Sequence, residues 1–138
     1  MSFQRKSILL EVRAIPRRFF IFPSLCVQIL LAVIEIHSHG IVHCDLKPSN
    51  IMISENHEWK MLDLDSAVFH MKAAEIKTTP FYCAPEVFKA ALIGKKQIAV
   101  DTSADMWSFG VIAYELLTGI SLHLSCCQNH KLTSLSLD

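Results

Sequence analysis

An excess of charge of one sign is the first thing this chain lacks. Lys and Arg number 13, as do Asp and Glu, so there is no basic stripe of the kind nucleic acid requires. It also lacks paired cysteine motifs. Cys26, Cys44, Cys83, Cys126 and Cys127 are odd in number and show no C-x-x-C spacing. That speaks against a disulfide framework and fits reduced thiols in an intracellular, cytoplasmic protein. His37, His39 and His43 straddle a predicted helix end and a loop, so no zinc site is expected there; for Cys126–Cys127 near His130, reduced thiols are expected over a metal or lipid site. No long hydrophobic run is present either. Phe19 to Ile34 carries no charge, but it is short of the ~20 residues that cross a bilayer. It is broken by Pro23, contains Gln28 and is closed by Glu35, which suits a buried helix rather than a membrane span. The basic start (Arg5, Lys6, Arg13, Arg17 and Arg18 against Glu11 alone) reads as a solvated face rather than a presequence. Internal repeats are absent, and the four glycines never form G-x-G-x-x-G.

What is present is material for one core: 51% of the residues are apolar, too many for a disordered segment. Residues 1–22 show no clear period. Pro23-Ser24 predicts a helix start with Ser24 as N-cap. Cys26, Ile29, Leu30, Val33 and Ile36 share one helical face, and Leu25, Leu31 and Ile34 widen it, so this helix should be largely buried. Gly40 suits its C-terminal cap. After the apolar pair Ile41-Val42 comes a polar loop, His43 to Asn50. Ile51–Ile53 and Trp59–Leu62 then predict a hairpin with its turn at 54–58. Residues 63–86, with Pro80 and Pro85, read as a long loop. Ser103 is the expected cap of a second helix running to about Leu117 and ended by Gly119. The tail from Ile120 has no readable pattern. The expected fold is α+β, in three parts: 1–22 unassigned, 23–119 the domain, 120–138 an unassigned tail.

The segment His43-Cys44-Asp45-Leu46-Lys47-Pro48-Ser49-Asn50 puts a carboxylate, an ammonium and an amide on one short loop. Phosphoryl transfer needs an acceptor for the hydroxyl proton, a cation near the moving phosphate, and metal ligands. Asp45 can be the acceptor, Lys47 the cation and Asn50 a magnesium ligand. Asp63, at the end of the hairpin, stands where a second hard-oxygen ligand is wanted.

These residues resemble the catalytic loop of protein kinases, H-R-D-L-x-x-x-N. Asp63-Leu64-Asp65 stands where that family has D-F-G, Ala84-Pro85-Glu86 matches A-P-E, and Asp105-Met106-Trp107-Ser108-Phe109-Gly110 is similar to the start of the central large-lobe helix. The motifs keep the family's order from about Ser24 to Gly119. Lys47 and Thr79-Pro80-Phe81-Tyr82 are the Ser/Thr-kinase choices. The resemblance implies a kinase-like fold with ATP and Mg2+ as cofactors and a protein as substrate or docking partner, with neither nucleic acid nor membrane as partner. Asp45 and Lys47 would be catalytic, Asn50 and Asp63 would hold the metal, and Met52 would lie under the adenine. Thr79 would hydrogen-bond Asp45 and Lys47, Asp105 would accept amides around His43 and Cys44, and His43 would stack with Leu64.

Three departures matter. Cys44 replaces the Arg that pairs with an activation-loop phosphate. Asp65 replaces a glycine and is either an extra metal ligand or a defect. No Gly-rich loop or V-A-I-K lysine can be placed, so the small lobe is expected to be absent and Glu86 to lack its arginine partner. Faces bearing Val111, Tyr114 and Leu117 would then be exposed. The isolated chain is expected to be inactive; the alternatives are a non-catalytic binding module and an incomplete gene product.

Overall fold

The computed structural model describes residues 18–53, 59–76, 79 and 81–120. The basic segment 1–17, the hairpin turn 54–58, Lys77, Thr78, Pro80, and the tail with Cys126, Cys127 and His130 lie outside the described residues.

Helix α1 spans Arg18–Ser38. It starts earlier than Ser24, and Pro23 lies inside it. A proline at that depth removes the bond to the carbonyl four residues back and crowds that carbonyl, yet the helix continues through it. Ser24 is not a cap; its Oγ accepts from the Gln28 side chain at 3.3 Å. Leu25, Ile29 and Val33, spaced one turn apart, are 0–1% exposed. Val27, Leu31 and Ile34 are 51–58% exposed, so burial is one-sided, contrary to the sequence expectation. The chain reverses at Gly40, whose φ of +70° is the left-handed conformation glycine adopts without steric cost.

Strand β1 (Ile41–Val42) leads into the polar loop, and β2 (Ile51–Ile53) pairs antiparallel with β3 (Trp59–Met61), the expected hairpin. The register sets Ile51 opposite Met61 and Met52 opposite Lys60. The expected long loop after it is more ordered. A 3-10 turn at Leu64–Ser66 precedes β4 (Val68–Phe69), which pairs with β1. Strand β5 (Ala73–Glu75) pairs with β6 (Gln97–Ala99). These strands are too short to show a sequence period. Between them lies α2 (Pro85–Leu92), with Pro85 at its first turn, where no donor is missed.

Helix α3 runs Ser103–Thr118. Its flanking residue is Thr102 rather than Ser103, and neither side chain caps it. Gly119 ends it, at φ 72° and with its N–H on the Glu115 carbonyl at 2.8 Å. The main core joins α1 to α3: Leu25, Ile29 and Val33 meet Leu46, Ile51, Ile112 and Leu116. A smaller cluster of Val42, Ala74 and Val100 fastens β1, β5 and the approach to α3. Val111 is buried, correcting one expectation, while Trp107, Tyr114 and Leu117 are 39–49% exposed. No helix among the described residues is long and apolar enough to cross a membrane.

Candidate active site

The His43–Asn50 loop leaves β1 and returns as β2, so both ends are tied to the core. Its floor is Asp105, at the start of α3 and 1% exposed. Asp105 Oδ2 accepts the His43 N–H at 2.7 Å and Oδ1 accepts the Cys44 N–H at 3.0 Å. Cys44 is held at φ 66°, a left-handed conformation unusual outside glycine. This turns the chain so that Asp45 follows on the opposite side. His43 is fully buried; its Nδ1 accepts the Asp45 N–H at 3.3 Å and its Nε2 donates to the Leu62 carbonyl at 3.2 Å. The loop closes through Asn50, 6% exposed, whose Nδ2 donates to the Asp45 carbonyl at 2.9 Å.

Three of the expected site residues meet across 34 residues of sequence. Thr79 Oγ1 donates to Asp45 Oδ1 at 2.9 Å, Lys47 Nζ reaches Asp45 Oδ2 at 2.5 Å, and the same ammonium lies 3.4 Å from Thr79 Oγ1. Asp45 and Lys47 side chains are 12% and 24% exposed, close enough to solvent to receive a substrate and buried enough to interact strongly. A carboxylate fixed by a hydroxyl and an ammonium is oriented as a proton acceptor, and the ammonium is positioned for an anionic group.

With its NH2 committed to the loop, Asn50 keeps its amide oxygen for a ligand. Asp63 follows Leu62, whose N–H bonds the Asn50 carbonyl at 2.8 Å, so the two are neighbours along the hairpin. Asp63 sits at φ 65°, ψ 69°, exposed, and its side chain does not cap the 3-10 turn that follows. Two hard oxygen groups of this kind fit a magnesium ion that takes its remaining ligands from nucleotide phosphates and water. A small cavity of about 30 Å³ touches Asp45, Thr79 and Asp105 but reaches neither Asn50 nor Asp63. Met52 is half-buried on β2. Leu64 is 51% exposed, not buried beside His43, because it opens the 3-10 turn after Asp63. Asp65 is exposed in that turn. Glu86, exposed in the first turn of α2, has no ion pair among the described residues. Cys44 carries no charge: burial first, then the Asp105 carboxylate, pushes its thiol up to about 12.

Sequence reasoning missed a second anchor. Tyr82 Oη donates to Glu115 Oε2 at 2.7 Å, and Ser108 Oγ donates to the Tyr82 carbonyl at 2.7 Å. These bonds hold the segment after Thr79 against α3. Glu115 is 1% exposed. The signal was available: Asp105, Ser108 and Glu115 recur on the same face of α3 as Ile112, and polar groups on a buried stripe must be partnered. His37 was noticed only as a metal candidate; its Nε2 lies 2.9 Å from Asp105 Oδ2.

An oxygen-rich loop is thus held against a central helix, with its carboxylate shared by a lysine and a threonine. The family model for the protein kinase domain matches residues 15–135, and the chain belongs to that family. It is 38% identical to the titin homolog of Caenorhabditis elegans over 79% of this chain and 1% of that protein. It is 39% identical to a probable myosin light chain kinase of Dictyostelium discoideum, over 68% of this chain and 24% of the relative. Identity to mitogen-activated protein kinase p38b of Drosophila melanogaster is also 39%, over 76% and 27%. The chain therefore spans about a quarter or less of the relatives it matches. A rhoptry kinase structure from Toxoplasma gondii superposes with a TM-score of 0.73 at 17% identity, covering 83% of this chain and 34% of that one. That likeness establishes the fold alone: a kinase-like α+β arrangement, mainly helical, with small antiparallel strand pairs.

Proposed function

We propose that residues 23–119 are the catalytic-loop part of an intracellular Ser/Thr protein kinase, which transfers phosphate from Mg-ATP to a protein hydroxyl. The carrying observation is Thr79 Oγ1 bridging Asp45 at 2.9 Å and Lys47 at 3.4 Å, because it joins the candidate base and cation to the segment that receives a peptide. In this reading Asp45 accepts the hydroxyl proton, Lys47 steadies the transferred phosphate, and Thr79 fixes both. Asn50 and Asp63 would hold Mg2+, which neutralises phosphate charge when bound, and Met52 would face the adenine. Ser/Thr rather than Tyr specificity is favoured by Lys47 and by relatives named as kinases of the Ser/Thr type.

The described residues offer only a floor for the nucleotide, so the isolated chain is expected to bind Mg-ATP weakly and to be inactive. The test joins the chain to a kinase small lobe and follows radiolabelled phosphate transfer to a protein substrate. Transfer to Ser or Thr, lost by at least about 10²-fold in Asp45→Ala, supports the reading. A fusion that binds Mg-ATP and transfers phosphate equally well with Asp45→Ala refutes it. The alternative, a non-catalytic kinase-like binding module, is favoured by Asp65 in place of glycine. It predicts no Mg-ATP binding by calorimetry even in the fusion.

A further inference from the structure

The surface at the end of α2 joins apolar exposure to unpaired positive charge. Leu92 and Ile93 are 72% and 67% exposed, the highest values among the large apolar side chains described, and Phe88, one turn before Leu92, is 41% exposed. Lys89, Lys95 and Lys96 stand among them, exposed and in no ion pair among the described residues. Beside them runs an open groove of about 720 Å³, lined by Glu75, Ile76, Ala91, Lys95, Lys96 and Gln97. Its walls are tied by backbone bonds. The Ile76 N–H donates to the Lys96 carbonyl at 3.0 Å and the Lys95 N–H to the Ala90 carbonyl at 3.0 Å. Gly94 turns the chain between them at φ 76°, a conformation glycine adopts without steric cost. Glu75 stands opposite Gln97 in the β5–β6 register.

We propose that this groove docks a short acidic, apolar segment of a partner protein. Apolar side chains this exposed gain by leaving water, which calls for apolar side chains opposite. Charge then selects among apolar ligands. In the lining two ammonium groups face one carboxylate, and Lys89 adds a third cation from the last turn of α2. A basic segment is repelled there, and a neutral one desolvates cations without pairing them; an acidic one pairs them. A single exposed pair contributes little, but several cations acting on one ligand in a groove with a fixed backbone add up, because less ordering is left to offset. The place matters as well. Ile76 stands three residues before Thr79, which bonds Asp45, so a docked segment lies along the stretch that leads to the candidate site.

Neither Asp45 nor Lys47 takes part, so the inference stands apart from the catalytic reading. The probe is a fluorescein-labelled nonapeptide in which glutamate and leucine alternate, titrated with the full chain and followed by fluorescence anisotropy. Binding should saturate, and should weaken at least about tenfold when serine replaces each leucine or lysine replaces each glutamate. Lys95→Glu combined with Lys96→Glu should weaken the acidic peptide at least about tenfold and bring the lysine peptide to within about threefold of the parent's affinity for the acidic one. A misfolded variant cannot produce that exchange. Leu92→Ser combined with Ile93→Ser should weaken the acidic peptide at least about fivefold. Lys60→Glu, exposed on β3, alters a lysine elsewhere and should leave its affinity within about twofold. Absence of saturable binding, equal binding of the two charged peptides, or an equal loss in Lys60→Glu overturns the proposal. So does a chain that binds phosphatidylserine vesicles or dimerises through Leu92 and Ile93 while ignoring the peptide.

Discussion

Replacing Tyr82 by Phe removes one oxygen and almost no volume, which isolates a single bond. That bond runs 2.7 Å from the hydroxyl to Glu115, a carboxylate 1% exposed on α3. Hydrogen bonds to charged groups contribute about 1.5–3 kcal/mol, and a buried carboxylate deprived of a donor keeps its desolvation cost. Glu115 has a further interaction, so the lower half of that range, about 2 kcal/mol, is the expected loss. With a urea slope of roughly 1–3 kcal/mol per molar, the unfolding midpoint should fall by about 1 M, followed by tryptophan fluorescence. The pH dependence gives a second reading of the same bond. Burial first, then the Glu115 bond and charge, raises the Tyr82 hydroxyl above its usual 10.0. The folded state therefore keeps a proton that the unfolded chain loses. The contribution is complete below about pH 10 and is lost as pH climbs toward the higher folded value. The gap between parent and Tyr82→Phe should stay constant from neutral pH to about 10 and close above it. In a Tyr114→Phe background, tyrosinate absorbance should rise together with unfolding, not before it. A midpoint shift under about 0.3 M, or early ionisation of Tyr82 in the intact fold, would refute the reasoning.

Asp63→Gly should raise stability by on the order of 0.5 kcal/mol, because φ 65° strains any side chain while glycine adds unfolded-state entropy. The same variant should weaken Mg-ATP binding in the small-lobe fusion; a destabilised variant counts against strain at Asp63. Ile112→Ala, at a residue with 0% exposure, should cost about 2–5 kcal/mol. Leu117→Ala, 42% exposed, should cost under about 1 kcal/mol, and equal losses in urea melts would contradict the core assignment. In the fusion, phosphatase treatment should leave activity within about twofold, since a phosphate on Ser66 has at best an exposed lysine such as Lys72, and exposed pairs contribute roughly 0–1 kcal/mol. A large fall traced to Ser66 would show that a cation reaches it.

How far the fold was legible depended on element length. The two long helices are periodic over enough residues to be read, and Gly40 and Gly119 mark their ends through positive φ; the β2–β3 hairpin was read from two short apolar runs flanking a polar turn. The start of α1 was misplaced because a proline usually opens a helix, and here the helix tolerates it inside. The pairs β1–β4 and β5–β6 are two or three residues long; their partners are set by tertiary contact, which no local pattern encodes. Burial of α1 was overestimated because an apolar side chain in a sequence does not say whether another element lies against it. Within the site, the loop residues were legible because their chemistry is dense on eight positions. Glu115 was signalled only as a polar residue on the buried face of α3, and His37 by nothing local, since their partners lie 33 and 68 residues away.

Position 44 shows how sequence and structure divide the question. By the resemblance, a residue at this position has a side-chain role, pairing with phosphate; in this structure it also has a backbone role, giving its N–H to Asp105 from a left-handed conformation. Cysteine abandons the first: its thiol, pushed up to about 12, stays neutral throughout the physiological range and offers no cation. The second is kept, since Cys44 still adopts φ 66° and still gives its N–H to Asp105. The two roles are separable because one depends on the side chain and the other on the carboxylate beneath it. On the proposed reading, cysteine here removes a cation for a loop phosphate while the backbone turn before Asp45 is kept. Cys44→Arg in the fusion should add little activity in the absence of a phosphate on the loop. Any strong gain without phosphate would mean that the guanidinium acts on the backbone turn, and that the two roles are one.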